Sequence, residues 1–214
     1  MQGVKLILQE RTNEVEAYFS FIETYTLTGT NDDLNKILKS NLLLMLYNLI
    51  ESTMSNAVEE IHNEIYLRTV SFNTLKIELR KRLIKYLKNN LNPDQFVTGI
   101  NDIALDIVKQ CFDKQKLFNG NIDSKKIREL SDNYGFSSNT DYNQTKHGSC
   151  LVTIKGRRND LAHGTFSFTE VGKDYSIGDL EKMKTETINY LTEIIGNIEL
   201  YLTNQEYINV AATA

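Results

Sequence analysis

The chain has 214 residues, 41% of them hydrophobic, and a formal net charge of -4 at pH 7. That length supports one domain with a sizeable core. The acidic balance excludes a broad, sequence-blind nucleic-acid coat but leaves room for a local basic cleft.

A single proline, Pro93, and the absence of any sustained period-two alternation point to helices. Residues 4–25 predict a first amphipathic helix, with Leu8, Val15, Tyr18, Phe19 and Ile22 at near-helical spacing. The break at residues 28–33 supplies N-cap side chains for the next helix. That helix, residues 33–66, is the longest and is apolar nearly all round between Leu38 and Ile50, as a central bundle helix must be. Its most apolar run, residues 42–50, is too short to span a bilayer and contains Asn48. Asn48, Glu51, Ser52, Ser55 and Glu59 then form a polar stripe. The stripe either meets water or turns Glu51 into a cleft, where it would hold an arginine in place.

Residues 72–89 predict a basic helix carrying Arg80, Lys81, Arg82, Lys85 and Lys88, either a solvated face or a contact for an RNA backbone. A break at residues 89–94 precedes a helix over 100–118, bounded by Gly99 and Gly120. Residues of about 70–120 are thus additional helices inserted into the bundle, within a single domain over 1–214. Asp123 or Ser124 caps a short helix over 125–133, and 137–149, rich in Ser, Asn, Thr and Gly, is an exposed loop. His147 in that loop and His62 on the second helix are incidental on this reading. Residues 165–176 are a connector with brief extended structure. The last helix, 179–204, keeps a stripe of Leu180, Met183, Thr187, Leu191, Ile194, Ile198 and Leu202 against the core, before a frayed tail over 205–214. The expected fold is an all-α, up-and-down helical bundle with the 33–66 and 179–204 helices packed together.

The first residues lack the charged start and apolar core of a signal peptide, and Cys111 and Cys150 have no metal-like spacing. Both observations fit a cytoplasmic protein with reduced thiols. Three scattered histidines offer no metal site, no P-loop or dinucleotide fingerprint suggests a nucleotide-binding regulator, and no cofactor is expected.

The stretch Lys155-Gly156-Arg157-Arg158-Asn159-Asp160-Leu161-Ala162-His163-Gly164 concentrates cations in this acidic chain. Leu151, Val152 and Ile154 predict a helix running into it, and Gly164 is a good C-cap, so His163 belongs at the helix's C-terminal end. Histidine suits proton transfer near neutral pH, and arginine suits a crowded phosphate. RNA carries its own nucleophile, the 2'-OH, so these two functions can cut it without a metal. Residues five apart on a helix point about 140° from each other, so Arg158 and His163 converge only if the helix ends between them or if two chains contribute. Otherwise Arg158 only pairs with Glu51 or Asp160, and His163 only caps the helix.

The run Arg158-Asn159-Asp160-Leu161-Ala162-His163 resembles the R-x(4-6)-H signature of the HEPN superfamily. A second stretch, residues 121–130 followed by Tyr134-Gly135-Phe136, is similar to the same family's pattern. The resemblance implies a helical domain of prokaryotic toxin or antiphage defence systems and a metal-independent endoribonuclease, or a catalytically silent scaffold that binds RNA or a partner protein. It implies Arg158 and His163 as catalytic, with Asn159, Asp160 and Glu51 in support and Arg157 and Lys155 as RNA contacts. It further implies a homodimer with a composite active cleft, and an antitoxin or defence-system partner. Relatives controlled by nucleotidyl transfer resemble R-x(4)-H-x-Y; here Thr165 stands where that tyrosine would be.

Overall fold

The computed structural model describes residues 1–90 and 120–209. The expected helix over 100–118 and the end of the tail lie outside the described residues. The first helix, α1 (Gln2–Thr28), buries Val4, Leu8, Val15, Phe19 and Ile22 along one face. It runs a turn past residue 25 because Thr24 and Thr28 donate back to the carbonyls of Ser20 (3.0 Å) and Thr24 (2.9 Å) and stay helical. Asn31 accepts the Leu34 N–H at 2.9 Å and opens α2 (Asp32–Leu67), whose first-turn Asp32 and Asp33 complement the helix dipole. Helix α2 buries side chains on nearly every side and is covered by other helices in turn.

The basic stretch splits where one helix was expected. Phe72–Thr74 is a 3-10 turn, and α3 (Ile77–Asn90) starts only after it. The end of the chain pins the segment between them: Lys76 donates to the Tyr207 carbonyl (2.9 Å), Asn209 to that of Thr74 (2.7 Å), and Leu75 pairs with Ile208 in an isolated antiparallel bridge. Residues 205–209 are therefore held against the bundle. That bridge is the one β-type pairing among the described residues.

Asp123 caps α4 (Ser124–Tyr134), and Gly135 ends it in the left-handed region at φ 89°. The expected loop over 137–149 is instead structured. Asp141 caps the single-turn α5 (Tyr142–Thr145), a 3-10 turn follows at Lys146–Gly148, and α6 (Ser149–Ala162) starts at once. The expected extended connector is also helical: Ser167 and Glu170 form a capping box on α7 (Phe168–Gly172). A second box, Ser176 with Asp179, opens α8 (Ile177–Thr203). The stripe foreseen on α8 faces α2 and the rest of one continuous core. The fold is an all-α bundle. Among the described residues no helix is long and apolar enough to cross a membrane.

Close approach at one glycine sets how α7 sits on α2. A Cβ at Gly172 would fall 1.9 Å from the Lys36 carbonyl oxygen, whereas one at Gly196, within α8, would meet nothing within 4 Å. Gly172→Ala is expected to lose about 3 kcal/mol through overpacking. Gly196→Ala should gain up to about 1 kcal/mol from helix propensity alone. Urea unfolding of both variants checks the pair, and equal effects would contradict this packing.

Candidate functional site

Helix α6 carries the motif, and its lower end is locked. Gly148 precedes it at φ 71°, where a Cβ would come within 2.9 Å of both Ser124 and Tyr190. Cys150, Leu151 and Ile154 bury one face of α6. Burial pushes the Cys150 thiol up to about 11, which removes it as a nucleophile at neutral pH. The upper end closes in a Schellman motif: Thr165 donates to the Asp160 carbonyl (2.9 Å) and Gly164 to that of Leu161 (3.3 Å), with Gly164 at φ 67°.

Two basic residues of the motif are engaged inside the chain. Lys155 pairs with Asp123, the buried cap of α4. Burial by itself would raise the Asp123 carboxyl, but the Lys155 ammonium and the Lys126 N–H outweigh it and hold the group below its usual range. Arg157 turns the other way, donating to the Tyr175 hydroxyl (3.0 Å) and to Asp174 (3.0 Å), and lies 3.5 Å from Asp160. Asp160 is thus directed to Arg157, not to Arg158. Of the cations on α3, Arg82 covers the Tyr134 ring at 4.7 Å.

Arg158 is held by mostly uncharged groups. Its guanidinium lies 5.0 Å above the ring of Tyr47, donates to the Asn159 side chain (3.0 Å), and packs against Gly120. Asn159 in turn donates to Asn121 at 3.3 Å. Tyr47 is 1% exposed, and its hydroxyl accepts the Ile122 N–H at 3.3 Å. Glu51, one turn beyond Tyr47 on α2, is half-buried and accepts the Gly120 N–H at 3.2 Å. Glu51 and Arg158 form no ion pair; Gly120 stands between them, held by one and packed on the other. Glu51, Tyr47, Gly120, Asn121, Arg158 and Asn159 therefore come together, while Lys155, Arg157 and Asp160 are drawn aside. Tyr47, Gly120 and Asn121 were not named as site residues from the sequence; the signals were that Tyr47 precedes Glu51 by four residues on a helix, that Gly120 bounds a helix, and that Asn121 opens the second family-like stretch.

His163 stands apart. It is the C-cap at φ -94° and ψ 0°, so the helix does not end between Arg158 and His163, and that route to convergence is closed. On helical geometry Arg158 lies about 40° round from the buried Ile154, and His163 about 180°. The imidazole is exposed and has no hydrogen bond or ion pair among the described residues. Among those residues no group of three His, Cys, Asp or Glu side chains is placed to hold a metal ion.

Gly120→Ala is expected to lose about 1–2 kcal/mol, because φ is 68° there, and to push Arg158 off Tyr47. Asp123→Asn should lose about 2 kcal/mol at neutral pH. A carboxyl whose folded pKa is depressed stabilises above its unfolded pKa and loses that contribution as pH falls through the folded one. The gap from wild type should therefore narrow as pH drops below about 4. Urea unfolding across pH measures this, and a gap independent of pH would remove the Asp123–Lys155 pair as its source.

A family model described as MAE_28990-like HEPN matches residues 7–207. No curated protein and no solved structure matches the chain. The matched span takes in most of α1, the Arg158–His163 helix and the closing Tyr207, and the chain belongs to this family of HEPN domains.

Proposed function

We propose that this HEPN domain is a metal-independent endoribonuclease of a prokaryotic toxin or antiphage defence system, acting in the cytoplasm on single-stranded or loop RNA as a homodimer. An antitoxin or defence-system protein would be its regulatory partner. The observation that carries this reading is the presence on one helix of an exposed His163, its ring without a hydrogen bond among the described residues, and an Arg158 whose guanidinium is pre-positioned on Tyr47 and Asn159. His163 transfers protons: it takes one from the 2'-OH or gives one to the leaving 5' oxygen. Arg158 stabilises the charge on the phosphorane-like transition state. The 2' oxygen bonds to phosphorus, the P–O5' bond breaks, and the products carry a 2',3'-cyclic phosphate and a 5'-OH. Asn159 and Glu51 are positioning residues, one through the Arg158 fork and the other through Gly120.

Two copies supply what one helix cannot. His163 shares the outward side of α6 with Val152, Gly156 and Asn159. Val152 is exposed, and a Cβ on Gly156 would meet nothing within 4 Å. A mid-helix glycine costs about 1 kcal/mol relative to alanine, and no neighbour among the described residues requires it. A second copy approaching there places its Arg158 beside this His163. The alternative, a silent scaffold that binds RNA or a partner protein, rests on the same family membership and on the separation of Arg158 from His163 within one chain.

Purified protein is expected to cut RNA in EDTA, with loss of about two to four orders of magnitude in His163→Ala and a comparable loss in Arg158→Ala. Substrates with 2'-O-methyl at the cut site should resist. Mixing the two inactive variants should restore about a quarter of wild-type activity, because half of the dimers regain one of two composite sites. Cleavage that needs Mg²⁺ or leaves 5'-phosphates removes this mechanism. No recovery on mixing places both groups in one chain.

A further inference from the structure

Lys146, His147 and Gly148 follow one another in the left-handed region, at φ 46°, 51° and 71°. A left-handed residue other than glycine is strained, and two in succession persist only when their surroundings enforce them. Here they do. Thr145 is fully buried, donates to the Asp141 carbonyl (2.7 Å) and accepts the His147 N–H (3.1 Å). Gly148 is wedged between Ser124 and Tyr190. Arg128, exposed on α4, reaches the His147 carbonyl at 3.4 Å.

The strained turn displays a cationic and aromatic group. Tyr142 is 58% exposed, Lys146 Nζ lies 4.7 Å from its ring centroid, and the His147 ring is 5.3 Å away, tilted by 55°. Arg128 is exposed beside this turn, and Lys125, also exposed, lies one helical turn before it on α4. Two carboxylates at the turn are already hydrogen-bonded: Asp141 accepts the Asn143 N–H and the Gln144 side-chain amide, and Glu193 accepts the Asp141 N–H. Glycine or asparagine would hold this backbone with less strain, yet the positions carry a lysine and a histidine whose side chains reach the surface.

We infer that this turn is a second RNA contact, taking an unpaired base on Tyr142 and adjacent phosphates on Lys146 and Arg128. An exposed aromatic ring bordered by cations matches single-stranded nucleic acid, because every base has a face to stack and every linkage a charge. The turn precedes the 14-residue α6, and His163 follows it, so the contact lies about 21 Å along the helix from the motif. One strand reaching both would be gripped at Tyr142 and presented at His163. The inference rests on the RNA-directed reading above, but on no catalytic step.

The test is fluorescence anisotropy of the whole protein with a labelled, uncleavable 2'-O-methyl oligonucleotide. Tyr142→Ala should weaken binding about tenfold. Lys146→Ala should weaken it less and lower the salt slope by about one. His147→Gly relieves strain and removes the ring that lies beside Tyr142, so it should raise Tm while weakening binding less than Tyr142→Ala does, a loss that cannot come from misfolding. Unchanged affinity in Tyr142→Ala and Lys146→Ala, or no binding by wild type, overturns the inference. Tyr142-dependent binding by a protein that never cuts RNA would leave the contact in place and remove only the nuclease reading.

Discussion

A helix of 36 residues that is apolar on nearly every side must be covered on every side. That demand organises the protein. Helices α1, α6, α7 and α8 all pack on α2, and the tightest contact, Gly172 on the Lys36 carbonyl, admits no side chain. The motif helix is placed by the same demand. Its buried face, through Leu151 and Ile154, is drawn onto the core, and Arg158 at the edge of that face lands on Tyr47 of α2. The guanidinium is thus seated on a ring that the cover of α2 keeps buried.

The electrostatics of the motif follow from which partners lie within reach. Three cations in a short run suggest one basic patch, but the helix sends them in different directions. Lys155 meets the buried Asp123, and Arg157 meets Asp174 and Asp160. Arg158 rests on an aromatic face and an amide, which orient it without cancelling its charge. The acidic residues around the motif thus engage Lys155 and Arg157 and leave Arg158 without a carboxylate partner among the described residues.

Much of the fold was legible. The long central helix, the final helix and its stripe, the Asp123 cap and the Gly164 stop all follow from periodicity and capping chemistry, which are local. Two of the misreadings were equally local in origin. The run over 137–149 looks like a loop by composition, yet Asp141 and buried Thr145 turn it into helical turns. The 165–176 connector held a Ser167–Glu170 capping box that signals a helix. Only the docking of residues 205–209 breaks the basic stretch before α3, and nothing within residues 72–89 announces it.

By itself the sequence determined the helical class, the two long helices, and the placing of Arg158 and His163 five residues apart at a glycine-stopped end, because these depend on side-chain period and on backbone freedom at single positions. It also carried enough pattern to match a HEPN family over residues 7–207. Only the tertiary structure decided that Glu51 reaches Arg158 through Gly120 and not through an ion pair, that Tyr47 is the arginine's seat, and that His163 faces away from the core. Those outcomes depend on where residues 69 and 111 positions apart in the chain meet, as the Glu51–Gly120 bond and the Tyr47–Arg158 contact do. No period within a single helix encodes such a meeting; it is settled when every face of α2 finds its cover.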